Sequence, residues 1–184
     1  MAETASKSVE LGTKCPEFEL PDTVSGKTMT REDFRSDKAT VIMFICNHCP
    51  YVKLIQEKLV DVTKKYSDKG VVFAAISSND VENYPDDAPE KMRIVAEDFG
   101  YPFPYLYDET QGVAKAFNAV CTPEFYVYDS EFKLRYHGQF DDSRPGNRID
   151  PTGSDLKQAM DALIAGRRPD ENQKPGIGCN IKWK

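Results

Sequence analysis

Apolar residues crowd into "ATVIMFIC" (39–46) and "VVFAAIS" (71–77), runs too continuous for a strand with one wet face. Such β-branched runs predict central strands covered on both sides. Between them Val52, Ile55, Leu59, Val62 and Tyr66 recur at steps of three and four, the spacing of one helix face, and Gly70 stops the helix. A strand, a helix and a second strand in this order predict a right-handed parallel crossover.

The flanking segments follow the same logic. Residues 9–35 alternate polar and apolar around "SGK", which predicts a short hairpin. Met92, Val95, Ala96 and Phe99 fall at helical spacing between Pro89 and Gly100. "YLY" (105–107) predicts a short edge strand, and Asp108 caps a helix holding Val113, Ala116 and Phe117. "EFYVYD" and "KLRYHGQFD" flank Asp129 to Glu131 as an antiparallel hairpin. A last helix runs from Asp155 to Ala165, with Leu156, Met160, Leu163 and Ile164 inward, Ser154 as its cap and Gly166 as its stop. The order predicts an α/β fold: a mixed central sheet flanked by helices, one domain over 1–166, then an extended Pro/Gly-rich tail over 167–184.

With 184 residues, 40% hydrophobic and 29% charged, the chain reads as one soluble globular domain. A net charge of −6 and the lack of a dense Lys/Arg block argue against a nucleic-acid partner. The opening "MAETASKSVELGTK" has no apolar h-region, and no window approaches the ~18 apolar residues of a membrane span. A cytoplasmic chain with no membrane partner is the expectation.

Composition gains interest at the five cysteines. In a reducing compartment a close pair reads as catalytic or metal-binding rather than structural. Cys46 stands where the first central strand gives way to the helix, and the unpaired N–H groups of a helix start favour a thiolate. Cys49 lies one turn on, within disulfide reach. This spacing predicts Cys46 as the exposed, acidified nucleophile and Cys49 as the shielded sulfur that resolves its mixed disulfide. An imidazolium at His48 would favour the thiolate further and make the pair more oxidising.

Strand, C-x-x-C and helix in a βαβ unit resemble the thioredoxin fold. "GTKCPEFEL…SGKTMTREDF" resembles the N-terminal hairpin of its peroxiredoxin and thiol-reductant branch, and "NHCPYV" is similar to a redoxin-type subgroup. The resemblance implies a thiol–disulfide oxidoreductase that needs no cofactor. Its substrate would be a disulfide-containing protein or a small thiol compound, and a thioredoxin or glutathione system would recycle it. "CTPEF" (121–125) completes the likeness: in such folds this proline is cis against the dithiol, which implies a cis Pro123 and a substrate docked on the backbone of Thr122. The chain departs from thioredoxin at Ile45, at Asn47-His48 and at Thr40, where thioredoxin carries a buried Asp; Glu124 and Tyr51 are candidates to replace that acid.

Two other readings stay open. A peroxiredoxin-like peroxidase would align Cys49 on the reactive cysteine of P-x-x-x-T-x-x-C, but Cys46 and Ile42 then stand at its Thr and Pro, and Arg144 or Arg148 would have to polarise the peroxide. A copper chaperone would pair the two sulfurs with His48 or His137, although such proteins usually space their cysteines one residue wider. No resident metal is expected, since no second C-x-x-C exists. Among the other cysteines, Cys15 reads as a small core residue, while Cys121 and Cys179 are possible auxiliary redox thiols, the latter anchored by Trp183. The loop "DDSRPGNRIDPTG" reads as a solvated connection.

Overall fold

The structure, a computed structural model, describes residues 3–184. Residues 1–2, at the head of the expected 1–166 domain, lie outside the described residues.

Strand β1 (Glu3–Ala5) is followed by the hairpin of β2 (Glu19–Pro21) and β3 (Thr28–Thr30), then by a short 3₁₀ turn over Arg31–Phe34. The two apolar runs form β4 (Ala39–Phe44) and β5 (Val71–Ser77), parallel and joined by helix α1 (Pro50–Ser67). Helix α2 (Pro89–Phe99), strand β6 (Tyr105–Tyr107) and helix α3 (Gly112–Phe117) come next. Strands β7 (Cys121–Thr122), β8 (Glu124–Tyr128) and β9 (Leu134–Gly138), helix α4 (Ser154–Ile164) and strand β10 (Ile177–Asn180) complete the chain.

The central sheet has the order β6-β5-β4-β8-β9, parallel from β6 to β4 and antiparallel beyond, with β6 at an edge. All six residues of β4 are buried, because both faces are covered. Val41 and Met43 enter one core with Ile55, Leu59, Met92 and Met160, whereas Ile42 and Phe44 enter a second with Phe34 and Phe117. The period of two along the strand thus divides its side chains between two cores, and each large apolar side chain contributes about 1.5–3 kcal/mol by its burial.

Several local expectations shift. Phe99 is exposed, since α2 ends on it and Gly100 turns the chain into the left-handed region at φ 62°. In α3 the inward small residue is Ala114, not Ala116. The cap of α3 is Gln111, although the Asp108 carboxylate still accepts the Ala114 N–H at 2.9 Å. Ser154 is the first residue of α4 and Gly153 its cap, because Asp141 accepts the Thr152 and Gly153 N–H groups and shapes the turn. That same network buries Asp141 and Ser143, so the 141–153 loop is only partly solvated. The tail is not a loose appendage: β10 lies between β1 and β7 in a second, three-stranded sheet. Its anchor is the buried Ile181, while Trp183 remains 41% exposed.

Candidate active site

Strand β4 ends at Phe44 and α1 begins at Pro50, so Cys46, Asn47 and His48 lie in a loop and Cys49 is the residue that caps the helix. A proline at the first helical position fixes this start, since its missing N–H is not needed there. The expectation of an exposed Cys46 at the helix N-terminus is therefore corrected: Cys46 is 2% exposed, Cys49 is fully buried, and the helix start belongs to Cys49.

The Thr122–Pro123 peptide is cis, and it brings both expected docking residues against the dithiol. Cys46 Sγ lies 3.4 Å from Thr122 Oγ1, and the Cys49 thiol reaches the Thr122 carbonyl oxygen at 3.3 Å. All five cysteines are free thiols.

The fields around the two sulfurs differ in sign. When Cys49 ionises, the thiols of Cys179 and Cys46 donate to it, joined by the Val52 and Cys179 backbone N–H groups; these outweigh burial and hold it well below the usual thiol range. Donation to Cys49, then burial and the Asp87 carboxylate, push Cys46 well above that range. Of the two sulfurs, Cys49 is the one whose surroundings favour the ionised form.

His48 lies near Cys46 but is not a free side chain there. Its Nδ1 is 2.5 Å from Asp87 Oδ2, its ring stacks on Tyr84, and its Nε2 is buried without a partner among the described residues. Asp87 also accepts the Asn47 N–H at 2.7 Å and the Asn79 side chain at 2.8 Å. The sequence reading missed this carboxylate. Its sole signal was an acidic pair, Asp86-Asp87, just ahead of the helix that opens at Pro89.

Neither proposed substitute for the buried thioredoxin acid reaches the dithiol. Glu124 accepts from His137 Nε2 at 2.6 Å, from the Tyr126 hydroxyl at 2.7 Å and from the Cys121 thiol at 3.5 Å. The Tyr51 hydroxyl donates to Glu3, and the Thr40 hydroxyl to the Phe34 carbonyl. Cys121, turned to Glu124, is pushed far above the usual thiol range by burial and by that carboxylate. Cys15 is a core residue, as expected.

The groups able to hold a metal among the described residues are Cys46, His48 and Asp87, whose ligand atoms lie within 4.8 Å of one another. This set lacks the second sulfur and His137 of the copper reading, and the Asp87 oxygens already serve four donors. Arg144 is likewise engaged, donating to the Asp141 and Ser143 carbonyls, while Arg148 is exposed. No helix of the described residues is long and apolar enough to cross a membrane.

Residues 11–137 match the AhpC/TSA family. The chain belongs to that family. An uncharacterized conserved protein from Geobacillus kaustophilus is 55% identical to this AhpC/TSA protein, with a TM-score of 0.98 over 100% of this chain and 97% of its own. A peroxidoxin from Mycobacterium tuberculosis shares 20% identity at a TM-score of 0.64, covering 87% of this chain and 99% of its own. The thioredoxin domain of a thiol-disulfide oxidoreductase from Bacteroides vulgatus shares 19% at 0.59, covering 71% and 89%. The fold is thioredoxin-like, of the redoxin branch. Among curated proteins none matches the chain.

Proposed function

We propose that this AhpC/TSA protein exchanges thiols and disulfides through Cys46 and Cys49, and that Cys49 is the attacking sulfur. The observation that carries the reading is the dithiol packed against the cis Thr122–Pro123 edge, with Cys46 Sγ 3.4 Å from Thr122 Oγ1 and the Cys49 thiol 3.3 Å from the Thr122 carbonyl oxygen. Donors around Cys49 that favour its ionised form support it as the attacking sulfur. Its roles are the reverse of those the spacing suggests. The Cys49 thiolate attacks one sulfur of a substrate disulfide, and the other leaves as a thiolate and takes a proton. Cys46 then gives up its proton, attacks Cys49 Sγ and expels the second substrate thiol, leaving a Cys46–Cys49 disulfide. Thr122 contributes its backbone to an extended substrate and its hydroxyl to Cys46. His48 acts indirectly, by holding Asp87 beside the loop. A disulfide-bearing protein or small thiol compound is the substrate, a thioredoxin or glutathione system the reductant, and the cytoplasm the setting in which that reductant is at hand.

The test compares reduction of a chromogenic disulfide by wild type and two variants. Cys49→Ser should lose at least 100-fold in rate, while Cys46→Ser should still release at least one equivalent of thiol in a burst. Loss of the burst in Cys46→Ser together with its survival in Cys49→Ser would return the attacking role to Cys46. Undiminished rates in both would remove the dithiol from the chemistry.

Peroxidase activity is a second reading, favoured by the family match over residues 11–137 and by surroundings at Cys49 that favour its ionised form, Cys49 being the sulfur that a peroxidase reading would align on the reactive cysteine. Peroxide turnover by Cys46→Ser at the wild-type rate would support it.

A further inference from the structure

The tail does more than close the domain. Strand β10 pairs antiparallel with β7, placing Cys179 opposite Thr122 and Asn180 opposite Cys121. This is the edge on which an extended substrate would dock, and the chain's own tail occupies it. Gly178 makes the close approach possible: a Cβ there would lie 1.9 Å from the Thr122 carbonyl oxygen. The arrangement is clamped beyond the ladder. The Lys182 N–H donates to Asn79 Oδ1 and the Ile181 N–H to the Val120 carbonyl, while Gln111 Nε2 donates to the Lys182 carbonyl. On the other side β1 pairs with β10.

In that register the sulfur of Cys179 sits where a docked substrate would bring its own. Cys179 shares the buried core cluster of Cys46 and Cys49, and its register partner Thr122 is the residue whose carbonyl oxygen accepts the Cys49 thiol at 3.3 Å. Cys49 thus shares its core with a thiol from the loop, Cys46, and a thiol from the tail, Cys179.

We infer that Cys179 is the third thiol of the exchange centre, forming a Cys49–Cys179 disulfide that carries the oxidised state onto the tail. This rests on the exchange reading above. After a turnover the Cys179 thiol loses its proton and attacks Cys49 Sγ of the Cys46–Cys49 disulfide. The new S–S bond forms as the old one breaks, and the released Cys46 thiolate takes up the proton. No electrons enter or leave. In Cys46→Ser the same attack, on a mixed disulfide at Cys49, releases substrate thiol. The chain thereby supplies its own pseudo-substrate, and an external disulfide must displace β10 to reach Cys49.

The experiment oxidises the full-length chain with one equivalent of diamide, blocks free thiols with N-ethylmaleimide and maps disulfide-linked peptides without reduction. Wild type should yield a Cys49–Cys179 link beside Cys46–Cys49, and in Cys46→Ser that link should exceed every other pairing at least tenfold. Gly178→Ala, which cannot seat β10 on Thr122, should lower its yield at least tenfold and speed alkylation of Cys49. Absence of the link from both wild type and Cys46→Ser overturns the inference. An unchanged yield in Gly178→Ala overturns the role of strand docking. The two proposals fail separately: exchange through Cys46 and Cys49 with no Cys179 link removes this inference alone, whereas a Cys179 link in a chain that reduces no external disulfide removes the proposed function alone.

Discussion

The Asp87 carboxylate meets His48 Nδ1 at 2.5 Å, joining residues 39 apart in the chain and tying the dithiol loop to the segment after β5. Burial opposes charge on Asp87, but hydrogen bonds from His48, Asn79 and the Asn47 N–H outweigh it and hold the carboxyl below its usual range. A group depressed in this way adds stability that is complete above the unfolded value of about 4 and is lost as pH falls through the folded value. Asp87→Asn should therefore cost about 1–3 kcal/mol at pH 7. Urea unfolding of wild type and variant should show the gap shrinking as the pH is lowered below about 4.

The same substitution removes the negative charge that raises the Cys46 pKa. In a Cys49→Ser background, where Cys46 no longer faces a neighbouring thiolate, adding Asp87→Asn should lower the Cys46 titration midpoint. Iodoacetamide rates against pH would show it, and an unmoved midpoint would take Asp87 out of the account.

Cys49 should ionise below the ordinary thiol value of about 8.5, since Cys179, Cys46 and two backbone N–H groups stabilise its negative form. Thiolate absorbance near 240 nm should already be present at pH 7 in the reduced protein and absent in Cys49→Ser. Its persistence at full size in Cys49→Ser would assign the charge to another sulfur.

Glu124 holds a polar cluster together without touching the dithiol, accepting from the Val120 and Cys121 N–H groups, the Tyr126 hydroxyl and His137. Glu124→Gln should lower stability by about 1–3 kcal/mol while the alkylation rate of Cys49 at pH 7 stays within twofold of wild type. A large fall in that rate would restore Glu124 to the role of the missing buried acid.

Gln111 binds the Ser78 and Lys182 carbonyls through Nε2 and accepts the Lys184 N–H at 3.0 Å. Gln111→Ala should loosen the tail by about 1–3 kcal/mol. Amide hydrogen exchange at Cys179, Ile181 and Lys182 should then accelerate roughly 5–150-fold, with the amides of β4 unaffected.

Much of this protein is written in local pattern. The unbroken apolar runs of β4 and β5, the three- and four-residue steps of α1 and the C-x-x-C between them define the βαβ unit, because side-chain period and burial follow directly from backbone geometry. The proline of "CTPEF" marks the turn beside the dithiol for the same local reason. The tail's alternation of Ile177, Cys179 and Ile181 also carried a strand signal, but two glycines and a polar run beside it spoke for a loop. The spacing assigns the readily ionised sulfur to Cys46, whereas the folded surroundings favour ionisation at Cys49. That depends on the sum of fields from Asp87, Thr122 and Cys179, groups brought in from about 40 to about 130 residues away. Chain order specifies the elements, whereas electrostatic interactions depend on distance in space, and only tertiary packing sets those distances.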